Sequence, residues 1–180
     1  MSTTTSFQLG EAVPGFALPD TDGAHHRVPL DEAPAATVLV VTCLHCPYVI
    51  AWNPRLRAVA EEYAPRGVRV LAINANDASR YPADSAAAMA RFVRDQSWPI
   101  PYLHDESQEV ARALDAQVTP HVFVLDAEQR LRYRGAPDAD HQDPAQDARF
   151  LRDALDAVLA GDEPPAADTR PRGCSVKWKS

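Results

Sequence analysis

A strand pattern that runs directly into a helix start is the feature that most limits how this chain can fold. Residues 37–42, Thr-Val-Leu-Val-Val-Thr, form an apolar run of strand length. Pro47 comes shortly afterwards and suits the first position of a helix, because its missing N–H would have no partner there. Apolar residues at helical spacing then continue to Tyr63, with Pro54 inside the segment as the expected site of a kink. We therefore expect a β-strand, a tight turn and an α-helix in succession.

The turn between this strand and this helix contains two cysteines, Cys43 and Cys46. Because Pro47 takes the first helical position, Cys46 is the expected N-cap residue. A sulfur atom there faces unpaired N–H groups and the positive end of the helix, and both favour thiolate over thiol. In such a setting the ordinary cysteine pKa of about 8.5 can fall to roughly 3.5 to 7.5. The junction therefore predicts redox chemistry.

Composition and charge limit the class of protein. The chain has 180 residues, 46% of them hydrophobic, which is the size and balance of one globular domain. A net charge of −7 argues against nucleic acid or an anionic membrane as the main partner. Neither a signal-peptide pattern nor an apolar run long enough to span a membrane is visible, so we expect a soluble, cytoplasmic protein. In a reducing compartment a close cysteine pair is more often catalytic or metal-binding than structural.

Strand and helix patterns alternate along the rest of the chain. A leader at residues 10–34, rich in proline and glycine, is expected to be irregular or hairpin-like. The alternation predicts an α/β protein with a central mixed β-sheet and helices on both faces. We expect one domain over residues 1–162 and an extended tail, residues 163–180, that carries Cys174. The predicted strands are 68–73, 102–103, 121–125 and 131–134. One predicted helix is capped by Asp84 or Ser85, a second spans about 107–114, and the last one ends at Gly161.

This order of elements, with Thr119-Pro120 just before a late strand, resembles the thioredoxin fold. The leader at 10–20 is similar to the start of the peroxiredoxin and redoxin branch, the AhpC/TSA-like proteins, as an extension before the fold. Segments 74–77, 81–85 and 102–106, and the tail at 173–178, are similar to a peroxiredoxin-like group of thioredoxin-fold proteins. The resemblance implies a cis Thr119–Pro120 bond, with backbone groups beside the reactive sulfur.

Two alignments of the cysteines with the thioredoxin pattern are open, and the position of Pro54 favours one. If Cys43 comes first, Pro54 lies eight residues after the second cysteine. If Cys46 comes first, Val49 replaces the second cysteine and Pro54 follows five residues later, as in thioredoxin. Cys46 is then the exposed nucleophile at the helix start, which attacks a disulfide or an oxidised sulfur.

Two cysteines are candidates for the resolving thiol. Cys43 qualifies only if Leu44 and His45 turn the chain, because a disulfide needs Cα atoms within about 7 Å and an extended strand would hold them near 10 Å. Cys174 qualifies if the tail folds back over the site, with Trp178 as an apolar anchor. The sequence leaves both open.

Other residues are weaker candidates for the site. His45 could stabilise the thiolate or shuttle a proton near neutral pH. Thr119 and Pro120 enter the candidate set through the resemblance. For Asn76, Asp77 and Tyr81 we favour a polar surface turn over a place in the cleft.

Disulfide exchange is the function that these residues favour. Peroxiredoxins share a Pro-x-x-x-Thr-x-x-Cys pattern that orients peroxide. Here Leu39 stands at the proline position and Cys43 at the threonine position, which weighs against efficient peroxide reduction. We therefore expect a thiol–disulfide oxidoreductase that acts on a protein or small-molecule disulfide and uses thioredoxin or a low-molecular-weight thiol as reductant, without metal or organic cofactor.

Three alternatives are open. A peroxiredoxin-like peroxide reductase is the nearest. A metal-binding protein could use Cys43, His45, Cys46 and Cys174 as soft ligands, although a lone Cys-x-x-Cys pair is a weak metal signal. A non-catalytic binding module on the same fold is the third.

Overall fold

The apolar run at residues 37–42 lies in the central strand of a five-stranded sheet. The computed structural model describes residues 6–29 and 32–180. In chain order the strands are β1 Phe16–Pro19, β2 His25–Val28, β3 Ala36–Thr42, β4 Val68–Asn74, β5 Tyr102–His104, β6 Val118–Thr119, β7 His121–Asp126, β8 Leu131–Gly135 and β9 Cys174–Ser175. The α-helices are α1 Pro47–Tyr63, α2 Ala86–Asp95, α3 Glu109–Ala113 and α4 Arg149–Ala160.

The sheet has the order β5-β4-β3-β7-β8 and is mixed, as the sequence predicted. β4 runs parallel to β3 and to β5, whereas β7 runs antiparallel to β3 and to β8. Val41, near the end of β3, pairs with His121, the first residue of β7. The turn that follows β3 therefore lies beside the segment that precedes β7, which contains Thr119 and Pro120.

Both faces of the sheet are covered, and β3 is buried along its whole length. Val38 and Val40 point to one face, where they pack in a cluster with residues of α1, α2 and α4. Leu39 and Val41 point to the other face and pack with residues of α3 and of the β1–β2 hairpin. This alternation explains why the strand sequence is apolar throughout.

Most predicted helix boundaries are confirmed. α1 begins at Pro47 and stays one helix through Pro54. The N-cap of α2 is Ser85, whose Oγ accepts a hydrogen bond from the backbone N–H of Ala88 at 3.2 Å. Gly161 ends α4 in the left-handed conformation, at φ +79°. α3 is shorter than the predicted 107–114 because Gln108, at φ +67°, cannot belong to the helix.

The two ends of the chain attach to the sheet differently. β1 and β2 form an antiparallel hairpin, which confirms the prediction for the described part of the leader. Leu30 and Asp31, also within the predicted leader, lie outside the described residues. After α4 the chain runs back across the molecule, and β9 pairs with β6.

Candidate active site

Cys46 lies at the amino end of α1, as the sequence predicted. It is the N-cap residue, with extended backbone at φ −71° and ψ 127°, and Pro47 is the first helical residue. The expectation that Cys46 is exposed is wrong: the residue is 5% exposed, because Thr119 and Cys174 lie against its sulfur. The turn therefore holds one nearly buried sulfur at the positive end of a long helix.

Cys43 follows directly after β3 and is the inner sulfur of the turn. It is also 5% exposed. Its Sγ lies 3.4 Å from Oγ1 of Thr119, and its thiol hydrogen-bonds the sulfur of Cys46. Cys43, Cys46 and Val49 form a small buried cluster, against which Cys174 packs.

Cys174 comes from the other end of the chain and meets Cys46 directly. β9 pairs with β6 so that Cys174 stands opposite Thr119. The Sγ atoms of Cys46 and Cys174 are 2.8 Å apart, and all three cysteines are free thiols. A disulfide bond is about 2.05 Å long, so a shift of under about 1 Å would bring the two sulfurs to bonding distance. The tail therefore places the sulfur of Cys174 directly against the sulfur of Cys46.

Thr119 touches the whole group of sulfurs. Its carbonyl oxygen lies 3.3 Å from Sγ of Cys46 and accepts the thiol proton when that group is protonated. Its hydroxyl meets Cys43, and its backbone pairs with Cys174. The Thr119–Pro120 bond is cis, which confirms the expectation drawn from the resemblance.

The hydrogen bonds among the sulfurs separate their acidities. The thiol of Cys43 donates to Cys46 and is the largest cause that lowers the pKa of Cys46, to about 4. Burial opposes this shift, whereas the thiol of Cys174 and the backbone N–H groups of Val49 and Cys174 add to it. The same hydrogen bond, together with burial, raises the pKa of Cys43 well above its usual range. Burial and then Cys46 raise the pKa of Cys174 to about 11. Near neutral pH the negative charge therefore belongs to Cys46.

His45 hydrogen-bonds a backbone carbonyl in the segment before α2. Its side chain is exposed, and Nε2 lies 3.1 Å from the carbonyl oxygen of Ala83. Because a carbonyl only accepts, Nε2 must donate in this contact. His45 still lines the cleft beside Cys46. Its suggested part in proton transfer stays a prediction.

Asp84, named from the sequence only as a possible helix cap, instead supports the cysteine turn. Its side chain is 4% exposed. Oδ1 accepts from the backbone N–H of Leu44 at 2.8 Å and from Nδ2 of Asn74 at 3.3 Å. Oδ2 accepts from Nδ2 of Asn76 at 3.0 Å. The carboxylate fixes the backbone between the two cysteines.

The interpretation of Asn76, Asp77 and Tyr81 as a polar surface turn is wrong for the first two. Asn76 is 6% exposed and Asp77 3%, whereas Tyr81 is 39% exposed. Asn76 and Tyr81 line the cleft with the cysteines. The tail covers this turn, because the backbone N–H of Asp77 donates to the carbonyl of Lys177 at 2.8 Å.

The tail fits closely against the body of the protein. A Cβ on Gly173 would lie 2.0 Å from the carbonyl oxygen of Thr119, so no larger residue can take this position without a shift. Trp178 is half-buried and packs against the apolar cluster on the face of the sheet that carries α3 and the β1–β2 hairpin, as an apolar anchor would. The Arg112 guanidinium lies 4.3 Å from the centre of its ring, in a cation–π contact.

A cleft of about 150 Å³ opens beside the sulfurs. Residues from the cysteine turn, the loops after β4, the β6 segment and the tail line it. They are Cys43, His45, Cys46, Pro47, Asn76, Tyr81, Asp84, Thr119, Cys174, Ser175 and Lys177.

Comparison with known proteins identifies the family. The model of the AhpC/TSA family matches residues 9–134, most of the chain. This chain belongs to the AhpC/TSA family. No protein of curated function matches the sequence.

Solved structures share the fold of this chain. An uncharacterized conserved protein from Geobacillus kaustophilus is 39% identical, with a TM-score of 0.89 over 97% of this chain and 94% of that one. A hypothetical protein from Sinorhizobium meliloti is 33% identical, with a TM-score of 0.90 over 98% of this chain and 97% of that one. Peroxidoxin BcpB from Mycobacterium tuberculosis is 19% identical, with a TM-score of 0.64 over 86% and 97%. That last likeness shows the shared thioredoxin fold.

Within the AhpC/TSA family, the cysteine turn of this chain departs from the peroxiredoxin pattern. Leu39, where that pattern has proline, is fully buried in β3. Cys43, where it has threonine, offers Cys46 a thiol in place of a hydroxyl. The group that neighbours Cys46 at this position is therefore the thiol of Cys43 and not a hydroxyl.

Two features are absent from residues 6–29 and 32–180, the part of the chain that the structure describes. Within them no group of three or more His, Cys, Asp or Glu side chains is arranged to hold a metal ion. None of the helices there has the length and apolar character needed to cross a membrane.

Proposed function

We propose that this AhpC/TSA family protein is a thiol–disulfide oxidoreductase in which Cys46 is the nucleophile and Cys174 the resolving thiol. The observation that carries the proposal is the 2.8 Å separation of their sulfur atoms. The difference between their pKa values, about 4 and about 11, supports the assignment of roles. The ionised sulfur of Cys46 attacks first, and the protonated sulfur of Cys174 reacts in the second step.

The first step breaks the substrate disulfide. The Cys46 thiolate attacks one sulfur, a mixed disulfide forms, and the other substrate sulfur leaves as a thiolate. Cys43 keeps its proton and donates a hydrogen bond, so the charge is held on Cys46 until attack. Asp84 would act only by fixing the turn.

The second step releases the substrate. Cys174 loses its proton to the solvent or to a leaving thiolate and attacks the Cys46 sulfur, which forms a Cys46–Cys174 disulfide and frees the second substrate thiolate. The substrate disulfide has then been reduced to two thiols, and the protein has lost two electrons. A thiol reductant, either a thioredoxin or a low-molecular-weight thiol, returns the protein to the dithiol state.

Cys43 is the less suitable resolving thiol. Its sulfur is buried between Thr119 and Cys46, and its pKa is raised further than that of Cys174. Its suggested role is to stabilise the thiolate. We propose further that residues 1–162 act as one domain with 163–180 as its tail, and that the reaction belongs to the cytoplasm, where thiol reductants are abundant.

A peroxide reductase is the second candidate, favoured by the small cleft beside an ionised Cys46. In that reaction Cys46 attacks one peroxide oxygen, forms a sulfenic acid and releases an alcohol or water. Cys174 then forms the same disulfide and releases water. Leu39 and Cys43 weigh against it, because the positions that orient peroxide in peroxiredoxins are both changed.

The test uses an aromatic disulfide that releases a coloured thiolate. Reduced wild-type protein should release about two equivalents per chain, one for each step. Cys174→Ser should stop after about one, and Cys46→Ser should show no fast release. A second fast equivalent from Cys174→Ser would assign resolution to Cys43, and fast release from Cys46→Ser would reject Cys46 as the nucleophile.

A further inference from the structure

Cys174 is held between two fixed points of the tail. On one side, Gly173 and Cys174 lie against Thr119 and pair with β6. On the other side, the main chain of Lys177 is bonded to the body of the protein. A strand rises about 3.3 Å per residue, so the second point is about 10 Å along the chain from Cys174.

Two buried polar side chains form this second point. Asn76 Oδ1 accepts from the backbone N–H of Lys177 at 2.9 Å. Gln108 Nε2 donates to the carbonyl of Lys177 at 2.9 Å, and Gln108 Oε1 accepts from the backbone N–H of Lys179 at 2.9 Å. Asn76 is 6% exposed and Gln108 1%, so their amide oxygens depend on the tail for donors that water cannot easily replace. Gln108 Nε2 also donates to the carbonyl of Ala75 at 2.6 Å, which fixes this side chain to the body of the protein.

We propose that Asn76 and Gln108 are positioning residues that hold the tail so that Cys174 stays within reach of Cys46. The inference rests on the proposed function, because it matters only if Cys174 resolves. Asn76 follows β4 and Gln108 precedes α3, so the two side chains bind the tail from separate parts of the sheet edge. Both bind the main chain of the tail, and Gln108 is the cleaner test because Asn76 also donates to Asp84, which holds the cysteine turn.

Their importance follows from the course of the reaction. The sulfurs are 2.8 Å apart in the dithiol state, so a substrate attached to Cys46 must push Cys174 aside. Resolution then requires the tail to return, and its speed depends on the effective concentration of Cys174 near Cys46. Contacts at Lys177 favour the docked tail, and their loss lowers that concentration.

The test measures the two steps separately with the same aromatic disulfide. After the first thiolate is released, the rate of the second reports how fast Cys174 returns. Gln108→Ala should slow this second release about tenfold, because two hydrogen bonds to the tail are lost. Release from the same adduct by an added external thiol should keep its wild-type rate, since it does not require the tail.

Gln129→Ala is the matched control. Gln129 is also buried, at 6% exposed, and also has a positive φ, 63° against 67° for Gln108. Its Nε2 contacts Thr37 and the carbonyl of Asp126 and does not reach the tail. The second release should be unchanged in this variant, even if its melting temperature falls as much as that of Gln108→Ala.

Asn76→Ala is the second variant, and it should slow the second release as well. Unchanged second release in folded Gln108→Ala and Asn76→Ala would overturn the inference, as would equal slowing in Gln129→Ala. If Gln108→Ala does not fold, Asn76→Ala with the external-thiol comparison decides. Failure of the proposed function looks different, because wild type and Cys174→Ser would then release the second thiolate at the same rate.

Discussion

The two sulfurs that meet in this site are held in very different ways. Cys46 belongs to a turn between the central strand and a helix whose inner side is buried, with Trp52 and Val59 fully inside the core. Cys174 belongs to a two-residue strand in a tail that is held by pairing with β6, by hydrogen bonds to Lys177 and by packing of Trp178. In the proposed reaction the substrate must come between the two sulfurs, so the tail must move while the cysteine turn stays in place. The difference predicts which substitutions disturb attack and which disturb resolution.

The largest expected effect comes from Gly173→Ala, which should displace the tail. The new Cβ would meet the Thr119 carbonyl oxygen at 2.0 Å, so the tail must move away from Cys46. We expect resolution to slow about 100-fold while attack by Cys46 stays rapid, since overpacking of this kind costs about 1–3 kcal/mol. Stopped-flow release of the two thiolates measures both steps.

Gly15→Ala is the control for this substitution. Its new Cβ would have neighbours no closer than 3.7 Å, which is ordinary contact. Both steps should keep their wild-type rates. Rapid resolution in Gly173→Ala would mean that Cys174 does not need the docked tail.

A smaller effect is expected when the Cys46 thiolate loses the hydrogen bond that Cys43 donates. Cys43→Ala removes the largest cause of the lowered pKa of Cys46, so that pKa should rise from about 4 towards the ordinary range. Because the thiolate is the reacting form, the rate now falls as pH drops through a higher midpoint. At pH 6 we expect a loss of about tenfold or more, while wild type keeps its full rate there.

The measurement is the pH profile of Cys46 alkylation in a Cys174→Ser background. Cys43→Ser serves as the matched variant, because its hydroxyl can still donate to the thiolate. It should retain more of the low midpoint than Cys43→Ala. An unchanged midpoint in Cys43→Ala would assign the thiolate to other causes, with the helix end and the Val49 N–H as the first candidates.

The smallest expected effect concerns the outer end of the tail. Arg112→Ala removes the cation–π contact with Trp178, which is worth about 0.5–1 kcal/mol at an exposed site. Resolution should slow about threefold, and attack should not change. An effect as large as that of Gly173→Ala would show that the tail is held mainly at Trp178 and not beside the sulfurs.

The region around Cys46 could be predicted from local sequence, and the region around Cys174 could not. An apolar run, a turn and Pro47 specify a strand, an N-cap and a helix within a few residues, so the position of Cys46 follows from short-range rules. The cis Thr119–Pro120 bond followed from a family resemblance. The place of Cys174 depends on pairing with a strand 55 residues earlier, which no local pattern encodes.

The buried polar residues show the same limit. Asn76 and Asp77 follow a buried strand, and polar residues in that position are usually solvated. They are buried here because the tail covers them and supplies main-chain partners. The sequence likewise predicts Asp84 only as a possible helix cap, because its partner Leu44 lies 40 residues away. Long-range hydrogen bonds decide these positions.

Mass mapping of disulfides after mild oxidation of the wild-type protein tests the central claim most directly. The fixed nucleophile and the docked tail predict one dominant product, a link between Cys46 and Cys174, with Cys43 left as a free thiol. A dominant link between Cys43 and Cys46, or a sulfenic acid at Cys46 that persists with Cys174 still reduced, would contradict it.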